Sequence, residues 1–208
     1  MPNWVPAALS ADLSIATAMP AKTPLGELAI WRGGSGRVSA FHDRCPHRGM
    51  RLSHGFVRGE MLSCIYHGWR YDGTGQCRKI PAHPDLVPPA AVRAGRLACV
   101  EQGGLIWVAA EGTETAPPEV GGVLPLRSIA VERPIAEVAA ALGIDGLMGK
   151  VSLPGCKEAL TLALLDAQGR TVLHALMPEA DAATRIAASR ALEALRRGLE
   201  TETTEAAQ

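Results

Sequence analysis

Apolar residues come in short runs through the first 110 positions, and glycine or proline breaks each run. Residues 12–31 predict short strands interrupted by Pro20 and Pro24, the last of them, Leu25 to Trp31, apolar enough to be buried. Gly33-Gly34-Ser35-Gly36 permits the positive φ of a tight hairpin, and Val38 to Phe41 predicts the returning strand. Arg58-Gly59-Glu60 turns the chain again, and Met61 to Ser63 follows as a strand. Trp69 to Tyr71 predicts another, turned back by Asp72-Gly73-Thr74-Gly75. Leu97 to Val100 and Leu105 to Val108, joined across Gln102-Gly103-Gly104, predict a closing hairpin. Short strands with glycine-rich turns at regular spacing indicate an all-β unit.

The pattern then changes. Residues 111–122, with Pro117, Pro118, Gly121 and Gly122, have the composition of a linker. Arg133-Pro134 to Leu142 predicts a helix starting at the proline. Ala159 to Leu165 and Thr171 to Met177 predict two strands around the turn Asp166-Ala167-Gln168-Gly169. Asp181 to Leu199 is the most helical stretch, with Ile186, Leu192, Leu195 and Leu199 on one stripe and acid-before-base pairs Asp181–Arg185 and Glu193–Arg197. This helix is expected to pack on the preceding hairpin, and the tail from Thr201 to Gln208 is expected to fray. The chain thus divides into residues 1–113, a linker over 114–128, and a small α+β unit over 129–208.

Charge supports two units. Lys+Arg and Asp+Glu both total 21, so nothing points to nucleic acid or a membrane surface. Residues 1–113 hold 12 basic and 8 acidic residues, a net of +4, and residues 114–208 hold 9 and 13, a net of −4. Five cysteines at unpatterned spacing do not form a disulfide framework. No basic stretch precedes an apolar run at the N-terminus, and no segment reaches the ~20 apolar residues of a membrane span, so a reducing cytoplasm is the expected location.

The chemistry concentrates in Cys45-Pro46-His47-Arg48-Gly49 and Cys64-Ile65-Tyr66-His67-Gly68-Trp69. Each loop offers one thiolate and one imidazole, and the 16 residues between them, 48–63, leave room for a strand out and a strand back. Two metal readings fit Cys45, His47, Cys64 and His67. Zinc takes Cys2His2 sets, although its finger pattern is a Cys pair followed by a His pair on a helix. A Rieske 2Fe–2S centre places two histidines on one iron and two cysteines on the other.

The two boxes closely resemble those of ring-hydroxylating oxygenases and related demethylases. The resemblance runs from about Trp4 to about Val108 and includes W-V-P-A-A-L near the start and G-W-R-Y-D-G-T-G-Q-C after the second box. It implies a Rieske-type antiparallel β domain, and an extended surface loop over the proline-rich residues 81–90. It implies one 2Fe–2S cluster, with Cys45 and Cys64 on one iron and His47 and His67 on the other. High-potential Rieske proteins carry an extra Cys in each box and a Ser after the second. Met50, Tyr66 and Trp69 stand there in this sequence. With the disulfide and that hydroxyl gone, the potential is expected toward the low end of the range, ~−150 mV. Arg44, Arg48, Arg51, Arg58 and Arg70 crowd the boxes against Asp43 and Glu60, as a solvated basic face or as a docking rim for an acidic redox partner. His42, His54 and His83 have no ligand spacing.

Oxygenases of this family add a domain with one mononuclear iron on two histidines and a carboxylate. Residues 144–152 resemble a remnant of the helix that carries it, with Gly146, Gly149, Ser152 and Lys157 where Asn, Asp and the two His are expected. Only His174 follows His83, and it is expected to be a core or edge histidine. The leading expectation is therefore a mainly β electron carrier with a truncated, iron-free second unit. It would take electrons from a flavin- or ferredoxin-type reductase and pass them to an oxygenase subunit. Alternatives are an oxygenase component completed by another subunit, with a homo-oligomer compatible, a redox-sensing subunit, and a zinc module. No nucleotide motif is present.

Overall fold

The computed structural model describes residues 3–205. It is mostly β, with antiparallel sheets and a small C-terminal α+β region. In chain order the first strands are β1 (Val5–Leu9), β2 (Ala18–Thr23), β3 (Gly26–Arg32) and β4 (Val38–His42). β5 (Phe56–Arg58), β6 (Met61–Ser63), β7 (Arg70–Asp72) and β8 (Cys77–Lys79) follow, then β9 (Arg96–Gln102) and β10 (Leu105–Ala109). They form a six-stranded sheet, β1-β10-β9-β4-β3-β2, and a small four-stranded one, β5-β6-β7-β8. β2 runs straight through Pro20, which the sequence had marked as a break. β2 is the edge of its sheet, so the missing N–H is tolerated.

Period-two alternation decides what each face meets. On β3 and β4, Ala29, Trp31 and Phe41 face the small sheet and share a core with Cys45, Leu52, Leu62, Cys64 and Tyr71. Leu28, Ile30 and Ala40 face the other way, with Leu97, Ile106 and Val108. β10 is buried along its whole length because its second face, Leu105, Trp107 and Ala109, packs on the C-terminal region.

That region holds β11 (Leu124–Val131), helix α1 (Ile135–Leu142), β12 (Met148–Val151), β13 (Leu160–Asp166), β14 (Thr171–Met177) and helix α2 (Ala182–Glu205), with sheet order β11-β14-β13-β12. Leu160, Leu162, Leu164, Leu173, Ala175 and Met177 face the helices, while Ala163, Leu165, Val172 and Leu176 face the first 110 residues.

Three expectations are corrected here. β11 begins inside the stretch assigned to a linker, since Leu124 to Val131 pairs along β14. Residues 148–151 form an edge strand on β13 rather than the remnant of a helix. Its four residues include Gly149, where a Cβ would lie 2.7 Å from the Ile144 side chain. In α2 the buried stripe is Ala188, Leu192 and Leu199 with Ala191 and Leu195 beside it, and Ile186 is 53% exposed. Asp181 caps the helix, accepting from Thr184 N at 2.7 Å, while Arg185 donates to the Pro125 carbonyl at 2.8 Å. The helix is assigned as far as Glu205, and the turns before Thr201 carry the Arg196–Glu193, Arg196–Glu200 and Arg197–Glu193 pairs. Met1, Pro2 and residues 206–208, on which the remaining terminal expectations fall, lie outside the described residues. No described helix is long and apolar enough to cross a membrane.

Candidate metal centre

The two loops are built alike. In the first, Cys45 N donates to Met50 O at 2.8 Å and Gly49 N donates to Cys45 O at 2.8 Å. In the second, Cys64 N donates to Trp69 O and Gly68 N to Cys64 O, both at 2.9 Å. Each loop therefore closes by the same pair of bonds, from the Cys to the residue five on and from the glycine four on. Gly49 and Gly68 sit at φ +73° and +70°, a left-handed conformation that favours glycine. β4 feeds the first loop, and β6 and β7 hold the second.

This construction sends the sulfurs inward and the imidazoles outward. Cys45 and Cys64 are 3% and 2% exposed, and both thiols are free. His47 is half-buried and His67 exposed, with ring centroids 4.7 Å apart at an interplanar angle of 64°. Trp69 stacks on His47 at 4.2 Å and 6°, and Tyr66 lies on His67 at 3.8 Å. Each imidazole is thus held by one aromatic ring.

Electrostatics follow from the same placement. Burial, opposed by N–H donors of Tyr66 and His67, raises the Cys64 thiol pKa, and the Cys45 sulfur beside it adds to the rise. Desolvation, then His67 and Arg48, lower that of His47, which favours the neutral ring a metal needs. The Tyr71 hydroxyl lies 3.2 Å from Cys45 Sγ, and burial followed by the Cys45 sulfur raises its pKa, so it keeps its proton and can donate to that sulfur once it serves as a thiolate ligand. Two sulfurs in the core and two imidazoles at the rim suit a two-iron cluster with mixed ligation.

Tyr71 is the residue that sequence reasoning missed. The family pattern places a sulfur-bonding hydroxyl at position 69, where Trp69 stands in this sequence. β7 alternation supplies it, because Tyr71 points into the core while Arg70 stays at the surface.

The surroundings are placed as follows. Asp43 accepts from Ser53 N at 2.7 Å and Ser53 Oγ at 2.6 Å, tying the chain after the first loop back to its entry. Arg51 is bound to Glu27 at 2.7 Å and lies 3.7 Å from Asp43, so it is not a free rim charge. Glu60 is engaged by Ser35 N and Oγ at 2.6 and 2.9 Å. Among the described residues Arg44, Arg48, Arg58 and Arg70 form no ion pair. Arg58 lies over the Phe56 ring at 5.2 Å. Ile65 and Tyr66 are 55% and 58% exposed, an apolar patch on the second loop. Residues 81–90 cross as an exposed loop, with Pro81 against Gly68. His42, His54 and His83 are exposed, and His174 is buried in β14.

Residues 3–100 match the Rieske [2Fe-2S] domain family. The chain is 46% identical over 106 residues to the oxidoreductase NdmD of Pseudomonas putida, covering 50% of this chain and 18% of that protein. It is 46% identical over 69 residues to the methylxanthine N1-demethylase NdmA of the same species, covering 33% of this chain and 20% of that one. The matched stretch thus spans about a fifth of each relative's own length. In fold, the chain resembles a P. putida CBB5 NdmA QL mutant solved with theobromine, with a TM-score of 0.75 at 19% identity over 95% of this chain and 80% of that one. Residues 3–100 are therefore a Rieske domain, whose cofactor is a 2Fe–2S cluster of the Rieske type.

Proposed function

We propose that this chain is a single-electron carrier in which Cys45 and Cys64 hold one iron of the cluster and His47 and His67 the other. When bound, the cluster supplies one-electron transfer at a potential above that of all-cysteine clusters. The observation that carries the reading is the layering of the ligands. Both sulfurs lie in the core, and both imidazoles stand at the surface 4.7 Å apart, where a partner can reach them. Trp69 and Tyr66 fix the two rings, and Ile65 and Tyr66 offer an apolar contact beside them. Arg44, Arg48 and Arg70, within or next to the two loops, give the rim a positive sign, which suits an acidic ferredoxin or reductase as donor. An oxygenase centre on another chain is the acceptor this reading favours.

The test is reduction by an acidic 2Fe–2S ferredoxin. The rate is expected to fall several-fold from low to physiological ionic strength as screening removes the steering. The double variant Arg44→Glu/Arg48→Glu is expected to be slow already at low salt. A rate indifferent to both would remove the docking assignment.

Tyr71→Phe reports on the sulfur environment. Loss of the hydroxyl donor destabilises the more negative, reduced form, so the potential is expected to fall by about 20–60 mV, one hydrogen bond's worth for a one-electron couple. Redox titration followed by circular dichroism measures it. An unchanged potential would mean that Tyr71 does not bond the sulfur.

A second reading, an oxygenase component completed by another subunit, is favoured by the fold likeness over 95% of the chain. Anaerobic ferrous titration separates the two. The carrier takes up no iron beyond the cluster, and uptake of a third iron that is lost in His174→Ala favours the oxygenase component.

A further inference from the structure

The two ligand loops close alike at the tip but differ at the base. The second loop, residues 64–69, caps a hairpin. Ser63 pairs with Arg70 and Leu62 with Tyr71, so a backbone ladder joins its entry to its exit. The first loop, residues 45–50, has no such ladder. Its entry, β4, belongs to the six-stranded sheet, and its exit is the 3-10 turn Leu52–His54, which leads into β5 of the small sheet.

One side chain takes the ladder's place. Asp43, two residues before Cys45, accepts from Ser53 N at 2.7 Å and from Ser53 Oγ at 2.6 Å. Among the described residues no other hydrogen bond joins residues 42–44 to residues 51–55. The Asp43 side chain is 1% exposed and Ser53 is buried, so water does not compete for these bonds. A buried carboxylate makes strong, charge-assisted bonds and is costly to leave unpaired. Its counter-charge is Arg51, 3.7 Å away and held by Glu27 at 2.7 Å. That second pair is about 40% exposed on both sides, where an ion pair contributes little.

We propose that Asp43 is the latch of the cluster site. Its carboxylate holds the first ligand loop shut, and that loop, not the second, opens when the cluster is taken up or released. The proposal rests on the ligand set proposed above, in which each iron has one ligand from each loop. Opening the first loop withdraws Cys45 from one iron and His47 from the other, so both irons leave together. Asp43 itself is a positioning residue.

The test uses the full, cluster-loaded chain. Iron release to EDTA without oxygen is followed by the loss of visible absorbance, and amide exchange in both loops is read by mass spectrometry. Asp43→Asn keeps the shape of the side chain and loses its charge. Ser53→Ala keeps the carboxylate and the backbone donor and loses the hydroxyl. Each is expected to release iron about tenfold faster, the factor that one charge-assisted hydrogen bond gives. Exchange is expected to rise over residues 45–50 and to stay unchanged over residues 64–69, whereas a general loosening of the fold raises both. The redox potential separates charge from positioning. Asp43→Asn removes a buried negative charge and is expected to raise the potential, and Ser53→Ala is expected to leave it in place. Glu27→Gln, at the exposed pair, is expected to release iron at the wild-type rate. Wild-type release from both Asp43→Asn and Ser53→Ala, or exchange that rises equally in the two loops, would overturn the latch. An error in the ligand set shows separately, as iron retained by Cys45→Ser.

Discussion

Cys45→Ser and Cys64→Ser are each expected to yield a colourless chain with iron and labile sulfide near zero. The ligand must be anionic and soft, and a serine hydroxyl stays protonated where the thiol gives a thiolate. Both sulfurs lie inside the core formed with Trp31, Leu52, Leu62 and Tyr71, so no water-borne ligand can replace them. Loss of the cluster also removes the tie between the two loops, and the melting temperature is expected to fall with the iron. Cys77→Ser, Cys99→Ser and Cys156→Ser are expected to keep the cluster. Cys77 is buried near the site, but its Sγ faces the Lys79 carbonyl at 3.7 Å. Burial pushes the Cys99 thiol up to about 12, which leaves it an inert neutral group. Iron and sulfide analysis of the five variants decides the matter, and dependence on any of the last three would displace the ligand assignment.

Gly55→Ala is expected to destabilise the chain by about 2–4 kcal/mol. A Cβ at Gly55 would land on the Ser63 carbonyl and 2.9 Å from the Leu52 carbonyl, both of them backbone that cannot rotate away. Ser63 immediately precedes Cys64, and Leu52 opens the 3-10 turn that follows the first loop. One methyl group thus pushes both loops at once. Urea denaturation is expected to show a lowered midpoint at unchanged slope. Gly59→Ala is the control. It sits at φ +58° in open space, so only the left-handed backbone term of roughly 1 kcal/mol applies. Equal losses at the two positions would show that the contact with Ser63 carries no weight.

The legible parts of the chain were those whose signal is local. Gly33 to Gly36, Gly59 and the Gln102-Gly103-Gly104 turn mark hairpins by themselves, and the strands beside them followed. The four candidate ligands were legible because each loop repeats a Cys, a His and a glycine at short spacing. What stayed hidden depends on partners distant in sequence. β11 contains Pro125 and alternates weakly, and it becomes a strand only through pairing with β14, some 50 residues on. β12 is four residues long with a glycine inside, so tertiary pairing overrides its propensity. Ile186 looked like a core position because it is the most apolar residue near the helix start, yet the buried face is set by Ala188 and Leu192. Tyr71 carries only a strand signal in the sequence, and its contact with Cys45 appears only when β7 is folded against the first loop.

The most direct test of the ligand set is electron–nuclear double resonance on reduced protein whose histidines carry ¹⁵N. The account predicts two strongly coupled nitrogens in a rhombic signal, with coupling to one of them lost in His47→Cys and to the other in His67→Cys. A signal without nitrogen coupling, or a chain that holds one zinc and no labile sulfide when expressed with adequate iron, would contradict it.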